Sequence, residues 1–209
     1  MNNIIWIGIG LNVKQNNPIY NDISKLNDFL CKQYNCKYFF DPVKNQPHIN
    51  LYDVDIPSKN LDLVKESLAD IAKAENEISI NLGEVKTFEF GAIFIECFKN
   101  IQITNLEDKI VKTINPFREN IKTDDYYQSW RSYSEDQINN KNSYGNPNVL
   151  DIFYPHLTLG YVNKNLLSEA TSKLNKALRF RKISFNELSL VVHDDKGEFV
   201  ENIDFKFNQ

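Results

Sequence analysis

The chain of 209 residues is poor in the features that mark several common classes of protein. It has three cysteines and no Cys-x-x-Cys pair, which argues against a disulfide framework or a structural zinc site. No apolar run approaches the roughly 20 residues that a membrane-spanning helix needs. The formal net charge of −4 excludes a strong positive field that would gather nucleic acid. These absences favour a globular protein with reduced thiols, and the expected compartment is the cytoplasm.

Familiar catalytic and cofactor-binding motifs are missing as well. No Gly-x-Ser-x-Gly elbow and no Walker loop occur. Gly8 and Gly10 follow a strand-like run, but Val13 stands where a dinucleotide loop needs its third glycine. Asp53 and Asp55 have no second histidine or cysteine at ligand spacing, so they are expected to be solvated carboxylates. We therefore predict no metal and no other cofactor.

The apolar patterning predicts alternating strands and helices. A hydrophobic fraction of 42% can fill a core, and alternation in residues 4–12 predicts a central strand rather than a signal peptide. Spacings of three and four predict helices after Asn17-Pro18, after Ser58 as a cap, after a Thr104 capping box, and around 166–178. Further strands are predicted at 48–54, 77–86, 88–97, within 151–162, at 183–192 and at 199–207. This order predicts an α+β fold with two mixed or antiparallel sheets related by a pseudo-twofold axis, with helices on the outside.

One stretch, from about 118 to 150, differs from the rest. It is rich in Asp, Asn, Gln and Ser and has no period of two or 3.6, so we predict an irregular insertion in a single bilobal domain over 1–209. Some of its aromatic residues, Trp130 among them, are candidates for stacking on a nucleobase as a lid, with Arg131 or Arg118 near a phosphate. The alternative is that its aromatic residues only attach the loop to the body. Those residues are Tyr126, Tyr127, Trp130 and Tyr133.

Two of the three histidines lie in nearly the same pentapeptide. Pro47-His48-Ile49-Asn50-Leu51 and Pro155-His156-Leu157-Thr158-Leu159 occupy matching places in a strand-helix-strand-strand plan that occurs twice. Residues i and i+2 of a strand share a face, so His48 projects with Asn50, and His156 with Thr158. For one such motif alone, the alternative is a strand histidine satisfied by a backbone partner. The third histidine, His193, has no companion motif and is interpreted as an exposed hairpin residue.

The paired motifs suit phosphodiester chemistry. Across a groove, one neutral imidazole can take a proton from water while the other, charged, gives a proton to a leaving oxygen. The Asn50 amide and the Thr158 hydroxyl can donate to the phosphate oxygens, where negative charge builds in the transition state. Strict alternation places Tyr52 on the face of His48, and Tyr52 and Tyr161 are further candidates for lining the groove or stacking on a base.

With these residues the chain resembles the two-histidine (2H) phosphoesterase superfamily. Its members include 2′,3′-cyclic nucleotide phosphodiesterases, bacterial 2′-5′ RNA ligase-like proteins and enzymes that cut 2′-5′ oligoadenylates. The family pattern is one His-x-Thr/Ser motif in each lobe of a bilobal fold, which maps here to His48 with Asn50 and to His156 with Thr158. Asn50 departs from the pattern, because the family has threonine or serine there. The resemblance implies His48 as the acid and His156 as the base that activates water.

The resemblance also implies an activity and a partner. We expect a metal-independent phosphodiesterase that hydrolyses a 2′,3′-cyclic phosphate or a 2′-5′ linked oligonucleotide, with ligase activity conceivable by resemblance only. The alternative, motivated by Asn50, is a catalytically degenerate protein that binds nucleotides or RNA ends on the same fold. The expected partner is a nucleotide or RNA-end substrate. Neither a membrane nor an obligatory protein partner is expected, and the chain is predicted to be a monomer.

Overall fold

The computed structural model describes residues 3–121 and 133–208. Within them the chain forms eight strands and five α-helices, which confirms the predicted α+β class. The strands are β1 (Ile4–Asn12), β2 (His48–Pro57), β3 (Ile78–Thr87), β4 (Ala92–Cys97), β5 (His156–Tyr161), β6 (Lys182–Phe185), β7 (Glu187–His193) and β8 (Phe199–Lys206). The helices are α1 (Tyr20–Tyr34), α2 (Leu61–Lys73), α3 (Ile101–Ile114), α4 (Glu135–Tyr144) and α5 (Leu167–Ala177).

All eight strands join one antiparallel sheet, in the order β6-β3-β4-β5-β2-β1-β7-β8. The sheet has two halves of four strands that meet where β2 pairs with β5 through the register partners Ile49 and Leu157. The order is symmetric about this junction, since each half runs from a motif strand through three further strands. The two predicted sheets are thus the two halves of one curled sheet.

The prediction of a single strand at 183–192 is wrong, because the chain passes there from one half of the sheet to the other. β6 pairs with β3, whereas β7 pairs with β1. The apolar positions show why: Ile183 and Phe185 are buried, and then Leu188 and Leu190, so the alternation loses its phase at Asn186. A strand cannot keep one face against the core across such a break.

Helices pack against both halves of the sheet. α1 lies against β5 and α5 against β3, while α3 contacts β2, and α2 contacts β7 and β8. Two predicted caps are wrong. α3 begins a turn before the Thr104 box, because the Asn100 side chain accepts the Ile103 N–H at 3.0 Å and satisfies a free amide of the first turn. Ser58 opens a short 3-10 turn before α2 and makes no side-chain cap.

Part of the predicted irregular insertion is helical. α4 begins with a capping box in which the Ser134 and Gln137 side chains each accept the other residue's backbone N–H, and it ends at Gly145 in the left-handed region. Irregularity is therefore wrong for residues 135–144. The helix buries none of its residues, so it has no apolar stripe to reveal it. Tyr126, Tyr127, Trp130 and Arg131 lie outside the described residues.

No helix in residues 3–121 or 133–208 combines the length and the apolar character that crossing a lipid bilayer requires.

Candidate active site

The two histidine motifs lie on neighbouring strands at the centre of the sheet. Ile49 of β2 is the register partner of Leu157 of β5, and both side chains are fully buried. Residues one position away on either side project to the opposite face. His48, Asn50, His156 and Thr158 therefore share that opposite face, where His48 and Asn50 are at least partly accessible, as are His156 and Thr158. The two imidazoles are diagonal neighbours, for which the usual spacing is roughly 7 Å.

Each motif strand carries a β-bulge at the same motif position. In β2, Asn50 pairs with Gly10 and Tyr52 with Ile9, which leaves Leu51 without a register partner. In β5 the register shifts in the same way around Leu159. Both leucines stand three residues after a motif histidine. A bulge inserts one residue, so the side-chain alternation reverses beyond it.

This reversal corrects the prediction that Tyr52 shares the face of His48. Tyr52 is fully buried on the other side, and its hydroxyl donates to the Tyr144 carbonyl at 2.6 Å. Loss of hydration raises the pKa of this phenol well above its usual value. The bulge instead brings Asp53 to the face of His48 and Asn50, and the one in β5 brings Tyr161 to the face of His156. Tyr161 is 38% exposed there.

Both motif histidines make the same backbone contact. The Nδ1 atom of His48 lies 2.8 Å from the carbonyl oxygen of Gln46, and that of His156 lies 2.8 Å from the carbonyl oxygen of Tyr154. A carbonyl only accepts, so Nδ1 carries the proton in each ring. In the neutral form Nε2 is then the basic atom of both imidazoles. The backbone partner named in the alternative interpretation is thus present for both histidines, and it fixes the tautomer that acid–base chemistry at Nε2 requires.

Burial and a nearby carboxylate act in opposite directions on His48. Loss of hydration lowers the pKa of His48 below its ordinary value, while its contact with the Gln46 carbonyl and the charge of Asp53 raise it. Asp53 is not the solvated carboxylate that the sequence suggested. Its Oδ1 accepts from the Asn50 amide at 2.5 Å and from the Asn146 amide at 2.8 Å. Burial raises the pKa of Asp53, and these two hydrogen bonds lower it.

Aromatic rings surround His156. The ring centroids of Phe88 and Phe94 lie 5.2 and 5.1 Å from that of His156, and Tyr154 stacks on it at 6.0 Å. Tyr161 lies edge-on to Tyr38 at 5.7 Å and tilted against Phe90 at 6.2 Å, and it extends this aromatic surface along β5. Within residues 3–121 and 133–208, the second motif therefore has an aromatic surrounding that the first lacks.

Glu96 is the register partner of His156 on β4 and shares its face. Lys86 pairs with the Glu96 carboxylate at 2.6 Å, and the Tyr154 hydroxyl donates to it at 3.0 Å. Both contacts lower the pKa of Glu96, so it stands beside the second motif as a carboxylate that is already bound on two sides.

Arg118 is not placed to meet a phosphate, contrary to one of the predictions. It is 3% exposed, and its guanidinium donates to the Ile121 carbonyl at 2.6 Å and to the Asn115 side chain at 2.9 Å. It also approaches Gly145 so closely that a Cβ there would meet the guanidinium. Arg118 therefore holds the end of α4 to the body rather than facing the groove.

Sequence patterns did not reveal every side chain at this site. Phe94, Glu96 and Asn146 lie far along the chain from both histidine motifs, so no local sequence pattern connects them with the site. Tyr154 could have been noticed, since it lies two residues before His156, as Gln46 lies two residues before His48.

His193 is placed apart from the site at the β7–β8 hairpin, where Trp6 lies edge-on to it at 5.0 Å. In residues 3–121 and 133–208, no three His, Cys, Asp or Glu side chains are grouped so that they could hold a metal ion.

Comparison with known families supports the resemblance drawn from the motifs. The family model described as 2′-5′ RNA ligase superfamily matches residues 19–197. A search of curated proteins gave no match. Among solved structures, E. coli LigT complexed with phosphate has a TM-score of 0.53 at 9% identity, covering 99% of both chains.

Two further solved structures agree on the fold. E. coli LigT complexed with 3′-AMP has a TM-score of 0.54 at 8% identity, covering 98% of this chain and 99% of that one. TT0787 of Thermus thermophilus has a TM-score of 0.57 at 10% identity, covering 98% of this chain and 100% of the other. At identities this low the structural matches bear on the fold alone, and they confirm the predicted fold.

Proposed function

The chain belongs to the 2′-5′ RNA ligase superfamily, and from that premise we propose that it is a phosphodiesterase acting on a 2′,3′-cyclic phosphate or a 2′-5′ linked oligonucleotide. The family match supports a phosphoesterase or ligase-like function. The observation that carries the narrower proposal is the pair of histidines on one face of adjacent strands, each with its Nδ1 held by a backbone carbonyl two residues earlier.

The proposed reaction is hydrolysis by general acid and base. Water attacks the phosphorus atom while the Nε2 atom of His156 takes a proton from it. The bond from phosphorus to the leaving ribose oxygen breaks, and protonated His48 gives that oxygen a proton from its Nε2 atom. The product is a phosphate monoester in the case of a cyclic substrate. The Asn50 amide and the Thr158 hydroxyl donate to the non-bridging oxygens. Proton transfer between imidazoles and oxygens of this kind does not call for a metal ion.

The aromatic surface beside the second motif suggests where the nucleoside lies. Tyr161 is partly exposed on the face of His156, next to Phe90 and Tyr38. Aromatic rings in such positions stack on bases with little regard to sequence. E. coli LigT, whose fold this chain shares, has been solved in complex with 3′-AMP. We assign Tyr161 to stacking on the base, with the phosphate between the two histidines.

The rival function is binding of a nucleotide or an RNA end without turnover. It is favoured by Asn50, which lacks the rotatable hydroxyl of threonine or serine and whose amide already donates to Asp53. The two functions share a ligand and differ in the reaction, so an assay must measure both binding and product.

The test is incubation of the purified protein, with EDTA present, with the four 2′,3′-cyclic nucleotides and with 2′-5′ oligoadenylate. Phosphorus NMR identifies each product and shows which ribose oxygen keeps the phosphate. Calorimetry measures binding of the same compounds. Catalytic turnover of any of them at micromolar protein supports the phosphodiesterase. Tight binding with no product would contradict it and establish the rival.

A further inference from the structure

Asp53 is the centre of a hydrogen-bonded network beside the first motif. Its Oδ1 atom accepts from the Asn50 amide at 2.5 Å and from the Asn146 amide at 2.8 Å, and the Asn146 amide also reaches the Asp53 carbonyl at 3.3 Å. Asn146 is itself fixed, because its side-chain oxygen accepts the Asn148 N–H at 2.8 Å. The segment that follows α4 is thus fastened to the motif strand through one carboxylate.

The placement of Asp53 depends on the bulge at Leu51. In a regular strand, residue 53 would point away from residues 48 and 50. The bulge reverses the alternation, and Asp53 shares the face of His48 and Asn50. A carboxylate next to an imidazole favours the charged ring, and a carboxylate that accepts from an amide fixes the orientation of that amide.

We propose that Asp53 is a positioning residue for the proposed reaction: it orients the Asn50 amide toward the phosphate and, through its charge, favours the protonated form of His48. This inference rests on the proposed function. It explains how asparagine serves in the first motif. A hydroxyl donor can rotate to meet a phosphate, whereas an amide must be held in the right orientation. Asp53 holds the Asn50 amide in that orientation, and Asn146 is the second donor that fixes the Asp53 carboxylate.

The other charged or titratable groups on this part of the sheet lie on β2 itself, on β5 and beyond β1. Asp55 follows Asp53 on β2 and lies on the same face, and His156 lies across the junction on β5. On the other side of His48, its register partner on β1 is the uncharged Asn12. Beyond β1, Glu187 of β7 lies 3.9 Å from the ammonium of Lys14. Asp53 is the carboxylate whose field raises the pKa of His48. Asp55 provides a matched control, because it is the same residue type on the same strand and face, two residues further on.

The test separates charge from hydrogen bonding with two variants. Asp53→Asn keeps an oxygen that accepts from Asn50 but removes the charge, and Asp53→Ala removes both. The imidazole of His48 is titrated by NMR, with its signals assigned by their absence from the spectrum of His48→Ala. The pH dependence of kcat is measured for each variant, with Asp55→Asn and Asp55→Ala as controls. Thermal melting checks that each variant is folded, and if Asp53→Ala melts below the assay temperature, Asp53→Leu, which is similar in shape, replaces it.

The expected results differ between the variants. Asp53→Asn lowers the pKa of His48 and moves the alkaline limb of the pH profile to lower pH by the same amount. Asp53→Ala does this and also lowers kcat about 10-fold or more, because the Asn50 amide is no longer aimed. The Asp55 variants change neither quantity. The inference is overturned if His48 titrates alike in the wild type and in Asp53→Asn, or if Asp53→Ala keeps the wild-type kcat.

The NMR titration does not require turnover. A wild-type protein that hydrolyses nothing would defeat the proposed function, whereas an unchanged His48 titration in Asp53→Asn would defeat this inference. The two failures are therefore seen in separate measurements.

Discussion

A buried carboxyl group on α3 should make the stability of this protein depend on pH. Glu107 is fully buried; its Oε1 atom accepts the Leu150 N–H at 2.9 Å, and its Oε2 atom has no hydrogen-bond partner among the described residues. Burial raises the pKa of Glu107 from 4.5 to about 7. The protonated form is therefore favoured in the folded state. The stability that it gives is fully present below pH 4.5 and is lost as the pH rises through 7.

The size of this effect follows from the pKa difference. Between pH 5 and pH 8 the folded state should lose about 2 to 3 kcal/mol of unfolding free energy through Glu107 alone. Glu107→Gln keeps an oxygen that accepts the Leu150 N–H and cannot ionise. Other titrating groups are common to both proteins, so the difference between their unfolding free energies isolates Glu107. We expect that difference to grow in favour of Glu107→Gln by about 2 to 3 kcal/mol from pH 5 to pH 8.

Urea unfolding at pH 5, 6, 7 and 8 measures this difference. Glu66→Gln serves as the control, because Glu66 is exposed on α2 and its substitution should leave the pH dependence of the wild type unchanged. A difference between Glu107→Gln and the wild type that stays constant across the four pH values within about 0.5 kcal/mol would refute the reasoning, since a group that ionises equally in both states contributes no slope.

Three further predictions concern the site and its support. The pH profile of kcat/KM should be bell-shaped, with its alkaline limb below the ordinary histidine pKa of 6.5. The reason is that loss of hydration lowers the pKa of His48, and the acid must be protonated to act. An alkaline limb above about pH 7 would contradict the assignment of His48 as the acid. Tyr52→Phe removes the hydrogen bond to the Tyr144 carbonyl and should lower the unfolding free energy by about 1 kcal/mol in urea titrations with kcat unchanged; a large loss of kcat would place Tyr52 in the reaction. Tyr161→Ala should raise KM for a nucleotide about 10-fold with a smaller change in kcat, and an unchanged KM in steady-state kinetics would remove Tyr161 from base binding.

The duplicated motif was sufficient to predict that His48 and His156 lie on one face at the centre of the sheet. His48 and His156 each begin a strand in a segment of the same local pattern, and antiparallel pairing of two such strands brings their matching faces together. The boundaries of β1 also follow from its unbroken apolar alternation. These features depend on local patterns, which a sequence displays directly.

The bulges were not predicted, although the sequence carries a sign of one. Apolar residues in β2 occupy odd positions at Ile49 and Leu51 and even positions at Val54 and Ile56, so the phase changes between them. A prediction that assumes strict alternation from His48 onward ignores this change of phase and places Tyr52 on the wrong face of the sheet. The same kind of phase change separates β6 from β7 at Asn186. Reading alternation from both ends of a strand would have found each break.

Other features depend on contacts that are distant in the chain. Asn146 meets Asp53 across 93 positions of sequence, and Glu96 faces His156 across 60. No local rule connects them, because the connection is made by the register of the sheet and by the anchoring of α4. That helix has no apolar stripe, and Ser134 with Gln137 was the available sign of its start.

The most direct test of the central claim is the rate of hydrolysis of a 2′,3′-cyclic nucleotide by three single variants, His48→Ala, His156→Ala and His193→Ala, assayed with EDTA present. The claim that the two neighbouring imidazoles carry the reaction predicts a loss of about 100-fold or more in kcat/KM for each of the first two. His193 is a matched control away from the site, and its variant should stay within about 2-fold of the wild type. Wild-type hydrolysis by either His48→Ala or His156→Ala would contradict the claim.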